Sequence, residues 1–307
     1  MEGNRPGRVT LGAFAVLVLI GGFNFVAVRY SNRELPPLFG AGARFAIAAV
    51  LLIAFVVLRR VALPRGRVLL VTVVYGVLTF TVGYAFAYWA LQSLSAGIGA
   101  VVFGATPLLT VLFAAAHGLE RLSMRGVGGA LLAVVGILIL ANPSDDVSVP
   151  MLRLAAMIVA SAAAAEAGVL LKLFPTDSPV MTNGLAMAVG AAGLLLWSLL
   201  SGEAWPVPEQ GSTWTALLYL AIPGSIGLFA LFLFVLGRWT ASGVSYMAAL
   251  FPVVAMIGGA LILDESITVN GVIGGLVVVA AVYLGALRGG GSRVSSVPAT
   301  QPLPGEA

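Results

Sequence analysis

The sequence predicts an all-α integral membrane protein of ten transmembrane helices, arranged as two inverted five-helix repeats. Three observations carry that prediction. Apolar residues make up 60% of the 307-residue chain and charged residues only 9%. With a mean hydropathy of +1.06, that composition lies far outside the range of a water-soluble domain. Uncharged apolar runs recur, each long enough at about 20 residues to cross a bilayer. The second half of the chain also repeats the first at a nearly fixed offset.

Apolar runs set against loop punctuation place the first five helices near Val9–Val28, Pro37–Leu58, Val68–Leu91, Ala96–Ala116 and Met124–Ala141. A polar break from Asn142 to Pro150 separates them from five more, near Met151–Leu171, Val180–Leu200, Thr213–Leu236, Ala241–Leu263 and Thr268–Leu287. The chain therefore divides into a first unit at 9–141 and a second at 151–287. Residues 289–307 are rich in Gly, Ser and Pro with little to pack, and read as a disordered cytoplasmic tail. Arg5 and Arg8 precede the first apolar run as in a signal peptide, but no small-residue cleavage site follows, so an uncleaved first helix is expected.

Basic residues fix the orientation. With the N-terminus inside, Arg5, Arg8, Arg59, Arg60, Arg65, Arg67, Arg121, Arg125, Lys172, Arg238, Arg288 and Arg293 all fall on the cytoplasmic side. Arg29, Arg33 and Arg153 fall outside. Both termini are thus expected in the cytoplasm, with the chain crossing the plasma membrane many times. The net charge of +4 reads as this topology signal, and nucleic acid is not an expected partner.

The repeat is visible at an offset of 145 residues: Pro107 meets Pro252, Glu120 meets Glu265, Gly126 meets Gly271 and Gly129 meets Gly274. A weaker echo at 143 pairs Arg29 with Lys172 and Pro36 with Pro179. Pro and Glu are scarce in membrane helices, so their joint coincidence carries more weight than matches of Ala or Gly. A unit with an odd number of spans forces its copy to enter the membrane from the other side. Inverted repeats that meet near the midplane are a recurring design of secondary transporters.

The run from Gly22 to Arg29, then Pro36, Arg44-Phe45, and the paired Pro107/Glu120/Gly126 and Pro252/Glu265/Gly271 blocks resemble the EamA family of the drug/metabolite transporter superfamily. The resemblance spans nearly the whole chain. It implies two EamA-like halves around a central cavity, and export of amino acids, metabolites or drug-like compounds. The sequence departs from the pattern at Met187, which stands where a duplicate of Arg44 would be.

Several residues are candidates for the mechanism. Pro107 and Pro252 lie mid-span, where each removes a backbone hydrogen bond and frees a carbonyl at membrane depth. With Pro223-Gly224 in the eighth helix, they read as bending points beside the cavity or as static kinks. Glu166 sits among Ala and Gly in the sixth helix. Intramembrane carboxylates generally face a cavity and can couple protonation to substrate movement; the alternative is a structural or near-cytoplasmic carboxylate. Arg44 lies about 10 Å in from the outer surface by helix rise, at a different depth from Glu166, so no pairing is expected. It suits a substrate carboxylate, or a structural bond to backbone carbonyls or Glu34. Tyr84 and Tyr88 share a helical face that suits the cavity wall, with an outer aromatic belt as the alternative for Tyr88. Asn24 and Tyr246 are polar groups at plausible depth for substrate contact or interhelical bonding. Glu120 and Glu265 each precede a Ser or Thr N-cap and read as structural carboxylates at the next helix.

Other chemistries lack their parts. With no Cys and one His, no metal site or cofactor is expected. His117 reads as an interfacial residue. No Gly-rich loop ends in Lys-Ser/Thr, so direct use of ATP is not expected. The expected activity is secondary, proton- or gradient-coupled export of a small-molecule substrate by a monomer or homodimer in the lipid bilayer. A lipid or nucleotide-sugar carrier would need more basic cavity residues, and a membrane-embedded lipid-modifying enzyme would need clustered polar groups at one interface.

Overall fold

In the computed structural model, residues 7–119, 124–141, 150–175, 178–238 and 241–284 are described. The expected tail, Glu120 with Ser123, and the Tyr246 side chain lie outside the described set. Ten helical segments follow in order: α1 (Arg8–Ser31), α2 (Pro37–Leu58), α3 (Gly66–Ala90), α4 (Ala96–Ala116), α5 (Met124–Ala141), α6 (Met151–Leu173), α7 (Pro179–Leu200), α8 (Gly211–Arg238), α9 (Ala241–Ile262) and α10 (Val269–Val282). Seven are long and apolar enough to span a bilayer, and α5, α9 and α10 hold shorter apolar stretches. No strand occurs among the described residues.

Local chemistry sets the ends. Pro37 and Pro179 open α2 and α7, where the missing N–H costs nothing. Ser95, Ser178 and Thr268 cap α4, α7 and α10 by accepting from the N–H of Ile98, Met181 and Gly271. Gly118, with φ of 73°, closes α4 while Leu119 N–H donates back to Ala114.

The packing is the same when each helix is exchanged for the one five places on. α2 packs along α7, α5 along α10, and α4 against α9. α1 lies on α9 as α6 lies on α4, and α8 lies on α1 as α3 lies on α6. A two-fold exchange of halves demands that pattern. Tight contact between apolar helices depends on small residues, because lipid competes equally for apolar surface. At Gly21 and Gly22 of α1, an added Cβ would fall 2.2 Å from the Phe251 ring and 2.4 Å from Val254 of α9. Gly21 and Gly22, the second of which opens the run Gly22–Arg29, thus seat the first half on the second.

Candidate functional site

Two helices widen at matching places. α3 is π-helical over Gly76–Gly83 and α8 over Ile222–Gly227, a geometry concentrated at functional sites. In α8 the cause is Pro223, whose ring would clash with the carbonyl of Tyr219 in a regular turn. Ser225 stitches the widened turn by donating to the Leu220 carbonyl at 2.7 Å. The Gly224 carbonyl is left facing the interior.

That carbonyl organises the charged centre. Arg44 of α2 is fully buried. Its Nη2 donates to the Gly224 carbonyl at 2.7 Å and its Nε to Ser225 Oγ at 2.7 Å. Nη1 lies 3.5 Å from the Tyr88 hydroxyl, and the guanidinium sits 4.9 Å from the Tyr84 ring centre. Asn24 Nδ2 of α1 donates to the same Gly224 carbonyl at 3.0 Å. Of the two structural partners considered for Arg44, the backbone carbonyl is observed and Glu34 is not. Glu34 instead accepts from the Gln210 N–H at an exposed position. A Cβ on Gly224 would fall 2.3 Å from Asn24 Oδ1 and 3.0 Å from the Tyr219 carbonyl. Gly224→Ala is therefore expected to lower stability by about 1–3 kcal/mol, read as a fall in the melting temperature of the detergent-solubilised protein.

The Arg44 centre borders a cavity of about 1220 Å³ of empty space, including its open mouth. Its walls are mainly apolar, and Phe25, Phe103, Phe229 and Phe251, joined by Tyr84 and Tyr88, supply aromatic faces. Tyr88 is fully buried, which places it in the interior and not in an outer aromatic belt. Proline shapes both sides. Pro107 divides α4 at Gly104-Ala105, and the carbonyl of Phe103, four residues before it, accepts from Thr106 Oγ1. Pro252 lies inside the continuous α9. Four residues before it, the Ala248 carbonyl would lie 3.3 Å from a Cβ added at Gly104. The two proline-freed regions therefore face each other across the α4–α9 interface.

At the end of α1 remote from the termini, Arg29 Nε pairs with Glu265 Oε1 at 3.1 Å. Arg29 Nη1 also donates to the carbonyls of Leu91 and Gln92. Both Glu265 oxygens accept from the Ala96 N–H, the first turn of α4. Asp264, with φ of 56°, turns the chain just before it. Glu265 thus stabilises a helix of the other half, while Thr268 alone caps the next helix; the carboxylate expected at α10 has been recruited by α4. At the opposite end, Glu166 Oε1 meets His117 Nε2 at 2.6 Å, joining α6 to α4. Glu166 does not line the cavity, although its neighbours Ala165 and Gly168 do.

The structure therefore gathers Arg44, Asn24, Tyr84, Tyr88 and the Pro223 turn at one site, and sets Glu166 apart from it. Tyr246 belongs to α9, which lines the cavity through Met247, Ala248 and Phe251. Sequence reasoning missed Ser225 and the phenylalanine walls. Ser225 stood two residues after Pro223, in a small-residue cluster that marks a helix interruption. Among the described residues no group of three or more His, Cys, Asp or Glu side chains is placed to hold a metal.

The comparisons agree with this architecture. The EamA-like transporter family matches residues 10–142 and again 151–286. An uncharacterized inner membrane transporter of Escherichia coli (strain K12), YedA, is 29% identical over 81% of each chain. A probable amino-acid metabolite efflux pump of the same strain is 27% identical over 89% of this chain and 93% of its own. A crystal structure of a protein 21% identical covers 92% of this chain and 97% of that one with a TM-score of 0.66, showing the same fold. The chain is a multi-pass membrane transporter, not an enzyme, and it belongs to the EamA-like transporter family.

Proposed function

We propose that the protein exports small organic solutes across the plasma membrane by alternating access, with both termini in the cytoplasm. The observation that carries this reading is one apolar cavity walled by both halves, with a polar contact between the halves on each face: Arg29–Glu265 and His117–Glu166. Exchange of the two halves would release one contact as the cavity opens on that side. The likeness to the probable amino-acid metabolite efflux pump supports outward movement. Cells overexpressing the chain are expected to tolerate and release at least one of a panel of amino acids, their analogues and cationic drugs. No difference from cells lacking it, across the panel, rejects export.

Proton coupling belongs to the same proposal. Glu166 and His117 face each other between α6 and α4, beside the end of the cavity nearest the termini, where proton uptake by either group alters the bond between halves. In proteoliposomes, Glu166→Gln is expected to abolish the acceleration of solute flux by a pH gradient while gradient-free exchange persists. A variant that still responds to the gradient like the unmodified protein rejects the proton role.

A further inference from the structure

On the face remote from the termini, the end of α3 gathers three arginines. Arg29 Nη1 donates to the Leu91 and Gln92 carbonyls, and Arg153 Nη1 donates to the Trp89 carbonyl and to Gln92 Oε1. Arg33 joins Arg29 and Gln92 in the wall of a small cleft of about 360 Å³, with its guanidinium 4.5 Å from the Tyr30 ring centre. Cations at the carbonyl end of a helix are favourable, but this cluster holds more charge than its carboxylates neutralise. Among the described residues Arg29 pairs with Glu265, whereas Arg33 and Arg153 have no acidic partner. Glu34 and Asp264, the other carboxylates close in sequence to the cluster, form no ion pair either. The two N–H donors of Arg29 Nη2 make no hydrogen bond among the described residues.

Arg29 also walls a larger cleft, of about 920 Å³ of empty space including its mouth. That cleft shares no wall residue with the central cavity, so it is separate from the transport site. Its exposed edge carries Ser93 and Ser266, while buried Val101 and half-buried Ile98 and Met256 make its interior apolar. The apolar side continues onto the bundle exterior, where Ile257, Leu261, Val269 and Val272 are all exposed. The ends of α1 and α3 and the start of α4 lie around it, at the level where headgroups meet hydrocarbon. A ligand with an acidic head and a hydrocarbon tail matches both parts. A soluble anion would leave the apolar interior empty.

We propose that the two clefts form a binding site for a phospholipid of net negative charge from the surrounding leaflet. Its phosphodiester lies between Arg29 Nη2 and Arg33, with Arg153 adding to the positive field there. The headgroup hydroxyls meet Ser93 and Ser266, and one acyl chain enters against Ile98, Val101 and Met256. Arg29 and Ile98 belong to the first half and Met256 and Ser266 to the second, so the lipid bridges the halves beside Glu265. A zwitterionic lipid with the same tails brings an ammonium that the unpaired arginines repel, so charge sets the preference.

Native mass spectrometry of the full chain in detergent tests this, with three titrants: phosphatidylglycerol, phosphatidylethanolamine with the same tails, and glycerol 3-phosphate. Phosphatidylglycerol is expected to bind at least about fivefold more tightly than phosphatidylethanolamine, the effect of one arginine near a charged lipid surface. Glycerol 3-phosphate is expected not to be retained. Arg33→Gln is expected to lower the affinity for phosphatidylglycerol about fivefold and leave that for phosphatidylethanolamine unchanged. The Arg33 side chain makes no hydrogen bond or ion pair among the described residues, so the lipid-free melting temperature is expected to hold. Ser266→Asp, at an exposed position, is expected to weaken phosphatidylglycerol binding in the same way by placing a carboxylate at the edge of the cleft. If either variant melts early, the lipid series on the unchanged protein decides alone. Equal binding of the two lipids overturns the proposal, and so does a preference for phosphatidylglycerol that survives both substitutions in folded protein. Glycerol 3-phosphate bound as tightly as phosphatidylglycerol would assign the arginines to a free anion and overturn it too.

Discussion

Gly190→Ala is expected to lower stability by about 3 kcal/mol or more, enough to remove most of the folded protein from the membrane. A Cβ at this position of α7 would lie 2.1 Å from Phe80 Cβ and 3.2 Å from Phe80 Cα of α3. Neither atom belongs to a flexible end, so a rotamer change cannot relieve the contact. Phe80 is also fully buried. Edge-on contacts hold its ring at 4.9 Å from Phe45, 5.5 Å from Tyr75 and 4.8 Å from Phe229. The backbone of α3 must therefore move away from α7, which places the cost at or above the usual 1–3 kcal/mol of core overpacking. The measurement is the yield of monodisperse protein and its melting temperature in detergent. Phe80→Gly removes the opposing Cβ but leaves a void, so the double variant is expected to be more stable than the simple sum of the two single changes. Strict additivity would mean that Gly190 and Phe80 do not share the contact.

The fold was legible in the chain because a bilayer imposes a length on every span. Ranges drawn from apolar runs agree with α2 at both ends and with α6 to within a few residues. The coincidence of Pro107 with Pro252 and Glu120 with Glu265 announced the duplicated unit. The polar part of the site was legible for a related reason: a polar group at membrane depth is expensive, so Asn24, Arg44, Tyr84 and Tyr88 stood out. Their partners did not. The Gly224 carbonyl is a backbone group exposed by a π-helical turn, and hydrophobic periodicity does not encode that turn. The walls stayed hidden because lipid and cavity both accept phenylalanine. Apolar spacing that separates inside from outside in a soluble protein therefore cannot separate Phe251, which lines the cavity, from Phe55, which is exposed on the bundle exterior. Glu265 and Glu166 were assigned by neighbours in sequence, but their partners lie 169 and 49 residues away. Only tertiary packing supplies them.

Glu265→Gln is expected to shift the transporter about tenfold toward the state open on the face that carries Arg29. The carboxylate there holds three elements together: Arg29 at the end of α1, the first turn of α4 through Ala96, and its own α9–α10 turn. α1 and α4 belong to one half and the turn to the other, so separating the halves on this face must break the cluster. Amide for carboxylate keeps the shape and removes the charge. Bonds to charged groups contribute about 1.5–3 kcal/mol each; with Arg29 29% exposed, a net loss near 1.4 kcal/mol, or tenfold in the open-to-closed ratio, is the expected scale. The chain has no Cys, so Ala87→Cys, one turn inside the cluster on the cavity wall, gives a single reporter in an otherwise native protein. Its labelling by an impermeant maleimide added to that face is expected to be about tenfold faster when Gln replaces Glu265. Arg29→Gln should give much the same acceleration, and the two changes together little more, because they break one contact. The repeat encodes corresponding charges, Lys172 and Glu120, at offsets of 143 and 145. Lys172→Gln is therefore expected to slow Ala87→Cys labelling, by favouring the state open on the other face. Labelling rates unmoved by any of these changes would mean that Arg29 and Glu265 stabilise the fold without controlling which side of the membrane the cavity meets.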